Sequence, residues 1–386
     1  MSTDYFNEYI KLSQQNLTAT FVQLCYDGNL EAISCIIDNK QLLEKINQSY
    51  HNMAFIMACG GGHIDIVKKF HTYSSSLSFS LIDGCESACY KNQKHIIEYL
   101  LNDTIVQSNL DTLFNTAFSS GKHEIVKLIL TSDGVKEAVK SNIMGTGYQQ
   151  YNAVVVAGKL FNMDELLVKA CERNDLAMVK FLLLDQDIPK NADIHFLDDR
   201  ALIVSCDKGH INIAKFLLTD NNLKEHANIH ADNNQALKNS VLNDNLELVK
   251  YLTTSLELKE HADIHTYHDI IFRSVLRNDS ADIAHFLLTD SNLKYHIDIT
   301  ESIEWIYHIH YEQMNDDDEY QYEVLRYIVE DYKYIAPNSD SDTLFVQILK
   351  SVPELYKLYE TNKLANELNK EFSNNLNKIE SKKPKL

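Results

Sequence analysis

The sequence predicts an all-α solenoid of about ten helix-turn-helix repeats, and three observations carry that prediction. Only 11 Gly and 4 Pro occur in 386 residues, which leaves little material for hairpin turns. A 17-residue pattern recurs along the chain, at 35-residue steps where it is most regular. Each copy carries two apolar stripes at helical spacing, more than one small helix pair can bury alone.

Composition sets the class. With 36 basic and 55 acidic side chains, a formal charge of -19 and 45% hydrophobic residues, the chain is globular. No run of about 18 apolar residues occurs, and MSTDYFNEYIKLSQQ lacks the basic start and apolar stretch of a secretory signal, so neither a membrane span nor export by that route is expected. Seven widely spread Cys without a CxxC pair point to reduced thiols and a cytoplasmic location. The negative charge disfavours nucleic acid, since phosphate neutralisation needs a basic face.

The clearest copies are LVKACERNDLAMVKFLL (167–183), LIVSCDKGHINIAKFLL (202–218), LKNSVLNDNLELVKYLT (237–253) and FRSVLRNDSADIAHFLL (272–288), preceded by four more from residue 21 onward. The fifth residue of each copy is an anchor: Cys25, Cys59, Cys89, Phe118, Cys171, Cys206, Val241 and Leu276. One helical turn earlier stand Phe21, Phe55, Cys85, Phe114, Leu167, Leu202, Leu237 and Phe272, so the two positions form the buried stripe of a first helix. Three residues past the anchor come Gly28, Gly62, Asn92, Gly121, Asn174, Gly209, Asp244 and Asp279, the residue types that best tolerate left-handed backbone at a helix end. The apolar pairs Ala32/Ile33, Ile66/Val67, Ile96/Ile97, Ile125/Val126, Met178/Val179, Ile213/Ala214, Leu248/Val249 and Ile283/Ala284 then start the stripe of a second helix.

Two degenerate copies follow, with Pro353 opening the last second helix, where a missing N–H costs nothing. The expected organisation is an N-terminal helix and repeats (1–130), an irregular insertion (131–162), regular 35-residue repeats (163–300), degenerate repeats (301–360) and a helical cap fraying into a polar tail (361–386).

The segments AFIMACGGGHIDIVKKF and ALIVSCDKGHINIAKFLL resemble the ankyrin repeat, with its Ala-containing first helix, Gly-His turn and Ile-Val-Lys-x-Leu-Leu second helix. NADIH (191–195), HANIH (226–230) and HADIH (261–265) are similar to the family's Gly-Ala-Asp-Val-Asn finger. The resemblance implies an ankyrin-like solenoid with β-hairpin-type or irregular finger loops. Two family features are missing: no copy opens with Thr-Pro-Leu-His, and Asn191, His226, His261 and His296 replace the finger Gly, residues that can still adopt left-handed backbone, with some strain for His. The Asn-, Asp- and Lys-rich connections also resemble ankyrin-type effectors of intracellular bacteria such as Legionella, which implies delivery into a host cytosol.

Residues suited to chemistry fall into the repeat frame. Six Cys occupy the anchor or the position one turn before it, and Cys35 adjoins apolar Ile36, so all seven read as small buried hydrophobes. His226/His230 and His261/His265 have a zinc-like spacing, but in extended fingers such residues lie more than about 12 Å apart. His308 and His310 point apart on a helix, Asp316, Asp317, Asp318 and Glu319 lack the glycine of a calcium loop, and GTG (145–147) is no phosphate cradle. No metal and no cofactor is expected.

The expected task is that of a non-enzymatic protein-binding scaffold, monomeric, using the first-helix and fingertip side. The expected contact residues are Asp198, Asp199, Asp232, Asn233, Tyr267 and His268 at fingertips, Tyr148 and Tyr151 in the insertion, and Tyr320 and Tyr322 beside the acidic run. Through residue 160 there are 12 basic and 15 acidic residues, and afterwards 24 and 40, so the second half favours a basic partner, which the effector resemblance implies is a host protein. The alternatives are an effector enzyme with its site in 131–162 or 302–336, and a self-assembling structural protein.

Overall fold

The computed structural model describes residues 17–132, 136–137, 152–293, 296–297, 323–330, 346, 349–350 and 352–380, with backbone only at 136–137, 267–269, 323 and 372–380. It divides into two units, Met1–Asp193 and Ile194–Leu386.

The first unit runs α1 (Leu17–Asp27), α2 (Leu30–Ile37), a short α3 (Lys40–Leu43), α4 (Ser49–Gly61), α5 (Ile64–Thr72), α6 (Leu81–Tyr90), α7 (Lys94–Leu100), a short α8 (Thr104–Ser108), α9 (Leu110–Ser119) and α10 (His123–Leu130). After β1 (Lys136–Glu137), β2 (Ala153–Val156) and β3 (Lys159–Asn162) it closes with α11 (Met163–Glu172) and α12 (Leu176–Leu184). First helices pack in order, α1 on α4, α4 on α6 and α6 on α9, while second helices form a parallel row of α2, α5, α7, α10 and α12. The strands form one antiparallel sheet in the order β1-β2-β3. β2 contacts both α9 and α11, so the hairpin enters the first-helix row.

The second unit repeats the plan with α13 (Phe196–Asp207), α14 (Ile211–Thr219), α15 (Ala231–Leu242), α16 (Leu246–Thr254), α17 (Thr266–Asn278) and α18 (Ala281–Thr289). Helix α19 (Glu323–Glu330) packs on α18 and on the long α20 (Pro353–Glu380). The chain is thus predominantly helical, an all-α fold of ankyrin-like helix pairs.

The repeat frame accounts for the core. Every anchor and every residue one turn before it is buried, as are all eight second-helix pairs. Each large apolar side chain removed from water contributes about 1.5–3 kcal/mol, so these stripes dominate stability. The turn position is left-handed in all eight copies, from φ 51° at Asp244 to φ 77° at Gly62. The following N–H reaches back to the last helical turn, as in His63 to the Ala58 carbonyl and Asn245 to the Ser240 carbonyl, closing the helix end.

The fingers are irregular, without strands among the described residues. Asn191, His226 and His261 do not take left-handed backbone. Their side chains, like that of His296, reach the carbonyl six residues earlier, Asn191 Nδ2 to Asp185 and the Nε2 atoms of His226, His261 and His296 to Asp220, Ser255 and Asp290, at 2.8–3.1 Å. A side-chain bond thus closes the loop that glycine closes by backbone freedom.

A second polar device recurs at 35 residues. Asp164, Asp199 and Asn234, all buried, accept the backbone N–H of Asp193, Asn228 and Asp263 at 2.6–3.0 Å. Each bond ties the start of a first helix to the finger 29 residues on. His195 and His230 hydrogen-bond through Nδ1 to Asp199 and Asn234, at 2.9 Å in both cases. These contacts stand where the missing Thr-Pro-Leu-His motif would, at the entrance to the first helix.

The expectation that Asp199 is an exposed fingertip therefore fails: it is 4% exposed, because its Oδ1 serves both the His195 ring and the Asn228 N–H. Asp199→Ala should lower stability by about 2–3 kcal/mol, since a buried N–H loses its acceptor. Asp198→Ala, at an exposed neighbour whose left-handed backbone favours Asp over Ala, should cost about 1 kcal/mol or less. Asp199→Asn should lie between, and Ala231→Thr added to it should recover stability, because Asn234 Nδ2 donates to Thr266 at the equivalent positions. Urea unfolding of the four variants measures the order.

Candidate protein-interaction surface

Once the stripes are buried, the first helices retain one open side. In the first unit Tyr26, Met53 and Tyr90 project there from α1, α4 and α6, with exposures of 57%, 46% and 62%. Tyr26 and Tyr90 share the position one past the anchor, and exposed Leu242 holds it in the second unit. Large amphipathic rings on packed helices lose little conformational freedom on binding, so this position provides contact area at low entropic cost. Sequence reading of the core missed it because the position is not apolar in every copy; the aromatic recurrence at Tyr26 and Tyr90 was the available signal.

The fingertips of the second unit have unusual backbone. Leu197, Asp198 and Asp199 have φ of 50°, 52° and 58°, and Asp232, Asn233 and Asn234 have φ of 45°, 57° and 59°. One short left-handed turn therefore forms the start of α13 and of α15, ahead of their right-handed part. Its third residue turns inward as the buried acceptor, and its first two face outward: Asp198, Asp232 and Asn233 are exposed, as is Leu197 at 61%. Left-handed backbone costs a residue such as Leu about 1–2 kcal/mol, and here it presents an apolar side chain to solvent. Tyr267 and His268 lie in the first turn of α17, and their side chains are outside the described residues, as are Tyr148, Tyr151, Tyr320 and Tyr322.

In the insertion, Asn152 binds the Asp164 carboxylate through its backbone N–H and Nδ2. Asp164 therefore holds the hairpin and the Asp193 finger together. Burial pushes its carboxyl above the ordinary range against three donated hydrogen bonds. Phe161 packs on Phe114 with ring centroids 4.5 Å apart, and Lys159 pairs with Asp111 at 3.7 Å. Of the 302–336 region only 323–330 is described, as α19.

Candidate chemical groups serve packing. Among the described residues no group of three or more His, Cys, Asp or Glu is placed to hold a metal ion. His230 contacts Asn234 through Nδ1, and its Nε2 lies 3.5 Å from Glu260. Burial drives the Cys25, Cys59 and Cys85 thiols well above their ordinary range and lifts Cys89 and Cys206 to about 12. Cys35 departs from expectation: it lies on the open side of α2 and is exposed, whereas the other six are buried.

Residues 166–268 match the family model of ankyrin repeats in 3 copies. No curated protein matches the chain. The matched span covers three of the four regular 35-residue copies, whose helix pairs and left-handed turns are described above. Ankyrin repeats are generally non-enzymatic interaction modules, which supports a protein-protein interaction scaffold. No described helix is long and apolar enough to cross a membrane.

The burial pattern makes a direct prediction. At pH 8 a thiol reagent should label Cys35 rapidly and the other six only on unfolding, as read by mass spectrometry of intact protein. Cys35→Ser should abolish the fast phase without changing the slow one.

Proposed function

We propose that the chain is a protein-binding scaffold that captures its partner with the open side of the first helices and the outward residues of the fingers. The carrying observation is the exposure of Tyr26, Met53 and Tyr90 on successive packed helices whose apolar stripes are buried. In this reading Leu197, Asp198, Asp232 and Asn233 form the corresponding fingertip contacts. Tyr148, Tyr151, Tyr267, His268, Tyr320 and Tyr322 remain proposed contacts on sequence grounds.

The partner in this proposal is a basic protein, drawn by the excess of 40 acidic over 24 basic residues after position 160. Attraction of this kind speeds encounter and weakens with salt. The likeness of the connections to translocated effectors extends the proposal to a host protein met in a host cytosol.

Affinity capture from a eukaryotic lysate, quantified by mass spectrometry, tests the reading. Tyr26→Ala with Tyr90→Ala, and separately Leu197→Ser, should each reduce the captured partner at least tenfold while leaving thermal unfolding within a few degrees of the parent. Raising salt from 50 to 500 mM should weaken capture further. Undiminished capture by both variants would remove the proposed surface, and uniformly acidic partners would remove the electrostatic part.

A further inference from the structure

Helix α20 (Pro353–Glu380) is packed only over its first turns, where Leu355 and Tyr359 are buried and Asn362 Nδ2 donates to the Val329 carbonyl of α19 at 2.9 Å. From Leu364 to Glu371 every residue is exposed, so about two turns of the helix are open on all sides. The helical backbone then continues to Glu380, about 24 Å beyond Leu364. A single helix of that length gains little stability by itself in water, where most helical stability comes from packing an apolar face.

Such a face is present. Leu364 and Leu368 are 57% and 56% exposed. The sequence continues their spacing with Phe372, Leu376 and Ile379, and these five positions fall within an arc of about 120° on a helix. All other positions from 365 to 380 hold Ala, Asn, Ser, Glu or Lys.

The two edges of this stripe differ in charge. One edge carries Glu360, Glu367 and Glu371 and, further on, Lys378; the other carries Asn362, Asn369, Ser373 and Glu380. In a parallel pair of such helices each edge meets the opposite edge of its partner, so the acidic edge would meet no Lys. In an antiparallel pair each edge meets its own equivalent, reversed. Centred on position 372, that arrangement sets Glu367 across from Lys378 and Leu368 across from Leu376, so opposite charges and apolar residues match in one register.

We propose that α20 is a self-association surface: two copies of this chain pair through antiparallel α20 helices, with Leu364 and Leu368 in the seam and Glu367 of each copy facing Lys378 of the other. This dimer departs from the monomeric state expected from the sequence. It uses none of the residues of the first-helix surface, so it does not rest on the scaffold reading.

Sedimentation velocity of the full chain across the micromolar range tests the proposal. The parent should pass from monomer to dimer as its concentration rises. Leu364→Glu with Leu368→Glu should raise the dissociation constant at least tenfold while leaving thermal unfolding within a few degrees, because both side chains are exposed. Glu367→Lys and Lys378→Glu should each weaken the dimer several-fold, and the two together in one chain should return it toward the parent affinity. A parent chain that stays monomeric throughout, with α20 left open or covered by a different protein, would overturn the proposal, as would a dimer indifferent to the leucine variants. Failure of the double charge exchange to restore affinity would overturn the antiparallel register.

Discussion

Two helices of about ten residues cannot bury two apolar stripes against each other, and the architecture of each unit follows from that shortage. A first helix such as α4 has one stripe, Phe55 and Cys59, and the helices on both sides, α1 and α6, are needed to dry it. The seam must be continuous, so the turn between the paired helices must be tight and repeatable. Left-handed backbone at Gly28, Asn92, Asp244 and their equivalents supplies that turn. Where glycine stands, the close approach is also used: a Cβ on Gly84 would meet the Phe55 ring, and one on Gly62 would meet the Gln93 side chain.

Apolar stacking sets spacing but not orientation, and polar contacts between copies do the latter. The buried acceptors Asp164, Asp199 and Asn234 fix where each finger returns, because a backbone N–H removed from water has to find a partner. A row of cations over rings adds to this along the second helices. Lys68 stands over Tyr99, Lys215 over Tyr251 and Lys250 over Phe286, each from one copy to the next, at 5.1–5.7 Å. His285 continues the row with a hydrogen bond to Tyr327, which places α19 in register with α18 although the intervening sequence has drifted. Such pairs contribute about 0.5–1 kcal/mol each where exposed, less than the apolar stripes, yet they act only when neighbours are correctly aligned.

The legible part of the fold was what repeats in residue type. Anchors, stripes and turn positions could be read because burial restricts them to apolar side chains and positive φ restricts them to Gly, Asn or Asp. The inward acceptor was harder: Asp199 and Asn234 sit beside outward Asp198 and Asn233, and adjacent acidic or amide residues look alike until the backbone turn is known. The finger histidines were hard to read for a related reason. A residue in a glycine position suggests unusual backbone, but His226 satisfies the same loop with its imidazole. Cys35 shows the limit of adjacency, since one step along a helix rotates a side chain by about 100° and carries it from the core beside Ile36 to solvent. The hairpin of β2 and β3 had no repeat behind it, and only its Ala157-Gly158 turn, with both φ positive, leaves a local trace.

The same shortage explains why the candidate surface stands where it does. Within a copy, the first helix spends its anchor stripe on the row of first helices and its neighbouring face on the second helix, so the remaining arc is where side chains reach solvent. Tyr26 and Tyr90 stand exposed at one frame position on α1 and α6, whereas at Gly60, the same position on α4 between them, a Cβ would meet the Ser87 hydroxyl of α6, so the arc is open on the flanking helices and tight on the middle one. The exposed side chains are available to recognition, and the rigid row beneath them holds each in a preset place. A partner meeting that surface would order few new residues, so more of its contact energy would appear as affinity.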